Sequence, residues 1–345
     1  MSTTYSDQST LNPGPMGWGL ENQTQAERMT SEKVAAERMA REQPSCMFEK
    51  PARAPQDSGI LTKVMDLQKA DGIEDGFAFH YLEKAVWGVF LTWLAQTIGS
   101  CVASGGMRAV FGRTMVEIFL LGQPEEFFGT ETPNINSANS ICTFAPYSYG
   151  VGRQIGGIDN GGDGSFCGAH IQGAMQKGYL PCWALGLDKY TDQFPEPLTS
   201  ESTYKKWGDN SYRTVRNNFD TIAGDFKLTE SVPVSDTQKA IEFLKDHKKP
   251  FQICSSWGFA PKSKIPGTEF WIYVRSGSWP HNMTVYGAVK IKGNWYIIIK
   301  NSWGMNAHKN GDYFLVTAED FGSWLRAAEC RTIGELTLPE SMPTV

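Results

Sequence analysis

Trp295-Tyr296-Ile297-Ile298-Ile299-Lys300-Asn301-Ser302-Trp303-Gly304 is an apolar run that ends in an asparagine. Its β-branched and aromatic residues, in a stretch too short for a typical helix, predict a strand leading into a turn. Taken alone, that makes Trp303 a core aromatic. A second run of the same kind, Met283 to Ile291, lies just upstream, and Lys292-Gly293-Asn294 between them suits a tight turn. Antiparallel pairing about that turn brings His281, ahead of the first strand, close to Asn301, after the second. An asparagine oxygen can then accept from one imidazole nitrogen, fix the tautomer and leave the other nitrogen for a nucleophile.

The nucleophile candidate is Cys101, in Gly99-Ser100-Cys101, where a loop enters a buried helix. Val110, Phe111, Met115, Ile118 and Leu121 mark that helix, predicted over 107–121. A thiol at a helix N-terminus feels the positive end of the dipole, which favours thiolate, and a nearby imidazolium favours it further. Gln96, five positions earlier, offers a side-chain amide for a developing oxyanion beside the Cys101 backbone N–H. Cys167 also precedes a predicted helix, 165–177, but has no glutamine at a matching distance. Cys101 is therefore preferred. Cys167, His170 and Cys182 are too loosely spaced for a zinc motif and are expected to form a packed helix face. No metal and no cofactor is expected. His80, His170, His247 and His308 carry no partner signal.

The 345 residues are 41% hydrophobic and 20% charged, an ordinary globular profile. A net charge of -5 argues against nucleic-acid binding, which needs a basic face. The start is polar, with no apolar signal segment. The most apolar stretch, 85–98, is broken by Thr92 and Gln96 and is too short to span a bilayer. No membrane contact is expected, and the location expected is cytoplasmic or virion-associated. The seven cysteines, 46, 101, 142, 167, 182, 254 and 330, are scattered, which argues against a disulfide framework.

Residues 1–60 are polar and form an extension, with a polar helix predicted over 23–41. It is expected to be disordered, propeptide-like or a docking arm in a macromolecular assembly. Residues 61–335 form one globular domain and 336–345 a tail. Residues 77–94 fit a helix or a strand pair, 123–165 are loop-rich, and 183–230 give few signals. Ser235 and Asp236 can cap a helix running to Lys248. Short strands follow at 250–255, 270–274, 283–291, 295–300 and 312–316. Helices first and an antiparallel sheet second make an α+β fold with a cleft between the two halves. The glycine-rich run 156–164 lacks a phosphate-loop ending, and its Asp159 and Asp163 could hold a cation.

These residues resemble the papain-like cysteine peptidase family. Lys300-Asn301-Ser302-Trp303-Gly304 matches its Asn-Ser-Trp-Gly signature, Gly99-Ser100-Cys101 its Gly-Ser-Cys, and the order Gln96, Cys101, His281, Asn301 its catalytic order. Gly161 and Gly162 are similar to its glycine-rich wall for the substrate backbone. The sequence departs from the family at Ile98, Val102 and Asn282. It departs again after Gly304, where Met305-Asn306-Ala307-His308 stands in place of a second Trp-Gly. The resemblance implies a two-lobed fold, with a helical N-terminal lobe and an antiparallel β-sheet C-terminal lobe. It implies hydrolysis of a peptide or amide bond, in a peptide or protein substrate, through a Cys101–His281 ion pair and a thioester. Asn301 would orient His281, Gln96 would stabilise the oxyanion, and Trp303 would shield the His281–Asn301 hydrogen bond. The alternative is a catalytically inactive papain-like structural or interaction protein, for example a virion or assembly component.

Overall fold

A computed structural model of the chain describes residues 58–91, 95–96, 98–121, 141–187 and 196–333. The expectations for the extension, its helix over 23–41 and the tail from 336 fall outside these residues. The order of elements bears out the α+β expectation. Helices α1 (Ser58–Ala70), α2 (Phe79–Trp87), α3 (Cys101–Met115), α4 (Ala145–Ile155), α5 (Cys167–Gln176), α6 (Glu201–Gly208) and α7 (Thr237–Lys245) precede most of the sheet. Strands β2 (Phe251–Lys264), β3 (Trp271–Ile291), β4 (Asn294–Lys300) and β5 (Tyr313–Thr317) follow, then α8 (Ala318–Leu325) and β6 (Glu329–Thr332). One early strand, β1 (Asp75–Ala78), also joins the sheet, pairing Asp75 with Lys290.

The predicted hairpin forms in register. Thr284 pairs with Lys300 and Ile291 with Asn294, and the turn residues Lys292 and Gly293 have φ of 49° and 78°. Two successive left-handed residues are what a two-residue turn needs to match the twist of the strands. The strands expected at 270–274 and 283–291 are one strand, the 21-residue β3. It pairs with β1, β2 and β4 and bridges β5, while β4 also pairs with β5, so the sheet curls on itself. Three register shifts bend β2 against β3 on the way.

Helix α3 starts at Cys101 and runs on through a π-helical turn to Leu120. It begins six residues earlier than the apolar pattern predicts, because Gly105 and Gly106 read as loop. Packing explains them. A Cβ at Gly105 would lie 1.9 Å from Asn282 Oδ1, and one at Gly106 would lie 2.1 Å from the His170 ring. The glycines cost helix propensity, but they let α3 lie directly on β3 and α5.

The scattered cysteines hold one bonded pair among the described residues. Cys167, at the start of α5, is bonded to Cys254 on β2 across a sequence separation of 87. No local signal marks a pair so distant in sequence. Cys101, Cys142 and Cys330 are free thiols, and all three are buried, as is Cys182. Closing so long a loop restricts the unfolded chain, so the Cys167→Ala/Cys254→Ala double variant is expected to lose about 2–4 kcal/mol. Urea unfolding without reductant checks this; equal midpoints for variant and wild type would refute it.

Candidate functional site

His281 lies on β3 and Asn301 follows the last residue of β4, so the hairpin register sets their approach. His281 Nε2 donates to Asn301 Oδ1 at 2.7 Å, and both side chains are buried. The same oxygen accepts the Ser302 backbone N–H at 2.7 Å. A backbone N–H can only donate, so this atom is the amide oxygen and His281 carries its proton on Nε2. Nδ1 is left as the basic nitrogen.

Trp303 stacks on the His281 ring with centroids 4.7 Å apart, and Trp279 stacks on Trp303 at 4.7 Å. Gly258 on β2 leaves the space that Trp279 fills, since a Cβ there would lie 1.5 Å from the indole nitrogen. The two indoles and the His281 ring thus form one stack.

Cys101 is the first residue of α3 and is 1% exposed. Its thiol lies by the backbone N–H of Asn282, the residue after His281. Val102, Cys167 and Cys254 complete a small buried cluster around it. Asn282, where the sequence departs from the family, supports the disulfide, because its side-chain amide donates to Cys254 Sγ at 2.8 Å. Cys167, the rival nucleophile, is consumed by that bond.

The charge state differs from the ion pair the resemblance implies. Burial pushes the Cys101 thiol up to about 11, against the opposing pull of N–H groups from Asn282 and Val102. Burial also brings His281 down to about 4, against the hydrogen bond to Asn301. Desolvation outweighs the helix N-terminus here, so thiol and imidazole are both neutral at pH 7.

Gln96 is tied to the same loop. Its backbone N–H donates to Ser302 O at 2.7 Å, and its side-chain oxygen accepts the Ser302 hydroxyl. Its Nε2 donates to Ile98 O at 3.1 Å. A primary amide has two N–H groups, and this bond uses one of them.

The glycine-rich loop is built around Arg153. Its guanidinium donates to the carbonyls of Ile158 at 2.6 Å, Gly161 at 2.7 Å and Gly164 at 2.7 Å. Gly161 and Gly162 are exposed, and a Cβ on either would meet nothing within 4 Å. Asp163 ties this loop to the loop before Cys101 by accepting the Gly99 N–H at 2.6 Å, and it also accepts from Tyr149 OH at 2.7 Å. Asp159 pairs with Arg213 and Arg216. The suggested cation role for these aspartates is thus corrected, and among the described residues no group of three His, Cys, Asp or Glu could hold a metal. No helix among them is long and apolar enough to cross a membrane.

Two contributors to the site are invisible in the sequence. One is Asp163, as the tether between the two loops. The other is His308, whose Nε2 lies 2.9 Å from Asn301 Nδ2. Neither has a local signal, because each partner is set by the fold.

No protein-family model matches the sequence, and no curated protein matches it. Solved structures do resemble it. Xylellain, a cysteine protease from Xylella fastidiosa, aligns with a TM-score of 0.45 and 17% identity over 82% of this chain and 90% of that one. Digestive procathepsin L 3 of Tenebrio molitor larval midgut aligns at 0.42 and 12%, over 77% and 68%. The Carica candamarcensis cysteine protease CMS1MS2, in complex with E-64, aligns at 0.39 and 14%, over 76% and 100%.

Proposed function

We propose that this chain is a cysteine endopeptidase or amidohydrolase acting through Cys101, His281 and Asn301. The observation that carries the reading is the His281–Asn301 hydrogen bond under Trp303, which holds a neutral imidazole with Nδ1 as its base. The substrate is a peptide or protein whose backbone lies along Gly161 and Gly162. Nδ1 takes the thiol proton as Cys101 Sγ attacks the carbonyl carbon. The Cys101 N–H and the second N–H of Gln96 Nε2 stabilise the oxyanion. The C–N bond breaks, the proton on Nδ1 passes to the leaving amine, and a thioester remains. Water attacks the thioester, giving its proton to Nδ1, and the acid departs as the thiol is restored. With the thiol near 11 and the imidazole near 4, charge separates only once a carbonyl is bound.

The buried, neutral resting site favours a second reading, an inactive interaction protein on the same fold. A peptidyl epoxide at pH 7, with the adduct mapped by mass spectrometry, separates the two. The enzyme reading expects labelling at Cys101 alone among the free thiols, lost in His281→Ala. Equal labelling of Cys101 in His281→Ala, or none in the wild type, leaves the inactive reading.

A further inference from the structure

We infer that His308 is a positioning residue for this site, anchoring the nitrogen side of the Asn301 amide whose oxygen side the Ser302 N–H sets. The inference rests on the reading of Cys101, His281 and Asn301 given above. An asparagine amide is nearly symmetric in shape, so only its partners decide where oxygen and nitrogen lie. On the oxygen side stand the Ser302 N–H and the His281 Nε2, both at 2.7 Å. On the nitrogen side stands His308 Nε2 at 2.9 Å. The amide NH2 has no lone pair to offer, so His308 Nε2 must accept. His308 is therefore neutral, with its proton on Nδ1. The two histidines are opposite tautomers joined through one amide, and a turned amide would lose the Ser302 N–H bond and, with both tautomers kept, the two histidine bonds as well.

The loop holds His308 in place. Its N–H donates to Gly311 O at 2.9 Å, and the Gly311 N–H donates back to His308 O at 3.1 Å. Its ring meets Phe314 at 4.8 Å and the edge of Tyr273 at 5.2 Å. The Tyr273 hydroxyl in turn accepts the Lys309 N–H at 2.8 Å. Asp312 and His281 are the titratable groups whose charges act on it. His308 touches neither the thiol nor any substrate atom placed above. It acts through Asn301 on the tautomer of His281.

Nitrogen-15 NMR of the full-length wild type at pH 7 tests this without any variant. His308 should show a protonated Nδ1 and a bare Nε2, and His281 a protonated Nε2, with the His281 signals assigned by their loss in His281→Ala. A protonated Nε2 on His308 would overturn the inference. The variants add a second readout. His308→Phe removes the acceptor and should abolish the slowly exchanging His281 Nε2–H, while His308→Gln, whose side-chain oxygen can accept, should keep it. The maximal rate of Cys101 labelling by the peptidyl epoxide should fall about tenfold in His308→Phe, as for one lost hydrogen bond, with half-saturation unchanged. In His308→Gln it should stay within about twofold of wild type. A folded His308→Phe that keeps the ring N–H, or a folded His308→Gln that loses it, contradicts the inference. If Cys101 proves unreactive in the wild type, the proposed activity fails, but the ring N–H signals still decide the role of His308.

Discussion

Acidification from pH 7 towards pH 4 is expected to unfold this protein well before most of its carboxylates titrate. Burial brings His170, His281 and His308 each down to about 4 and holds His80 well below the usual histidine range. Lys300 and Lys84 add to the effect at His80, while Asp312 opposes it at His308. In the unfolded chain these imidazoles return to about 6.5. Between about 6.5 and 4 the unfolded state therefore binds more protons than the folded state, so stability falls as pH falls. Each such histidine removes about 1.4 kcal/mol per pH unit across that window. Three together remove about 4 kcal/mol per unit, against a whole stability of roughly 5–15 kcal/mol. Urea midpoints at pH 7, 6 and 5 measure the slope. A midpoint unchanged from pH 7 to pH 5 would show that the imidazoles are not buried as described.

Arg108→Met should be the most damaging single change outside the site. Arg108 lies on α3 beneath the site, and its Nη1 donates to the Asn301 backbone carbonyl at 2.7 Å. Its Nη2 lies 3.6 Å from Asp312, whose carboxylate is 3.2 Å from Lys300 Nζ. Lys300 lies 3.6 Å from Glu83, which accepts the Tyr286 hydroxyl at 3.0 Å. All four charged side chains are at most 4% exposed. Methionine keeps the length of the side chain and removes the charge, leaving, among these described residues, two buried carboxylates to one buried cation. Breaking a buried pair in this way costs about 3–5 kcal/mol. Adding Asp312→Leu restores one cation to one carboxylate and should recover part of that loss. Thermal unfolding of the single and double variants provides the comparison. If the double variant is no more stable than Arg108→Met, the cost is one of packing and not of charge.

How much of this is legible from residues alone depends on the range of the interaction. The His281–Asn301 approach is legible because a two-residue turn sets the register of its hairpin, and turn chemistry is local. The start of α3 is not, because Gly105 and Gly106 take their meaning from Asn282 and His170. Helix α4 is hidden for a similar reason. Pro146 suits its first turn, but Tyr147, Ser148, Tyr149 and Gly150 are indifferent helix formers held by tertiary burial. The Cys167–Cys254 bond and the Asp163 tether join residues far apart in sequence, where no pattern of period 2 or 3.6 reaches. The charge state of Cys101 is not legible either, because helix position can be read from sequence, whereas desolvation depends on the folded surroundings.

The stack of Trp279, Trp303 and His281 gives the site an optical signature of its own. Two indoles at 4.7 Å, tilted by 22°, couple their electronic transitions and produce a paired circular-dichroism band that isolated tryptophans lack. The imidazole beneath quenches indole emission more strongly when it is charged. A proton arriving on His281, or a ligand that parts the rings, would therefore be visible in the protein's own absorption and emission, without any label or substrate.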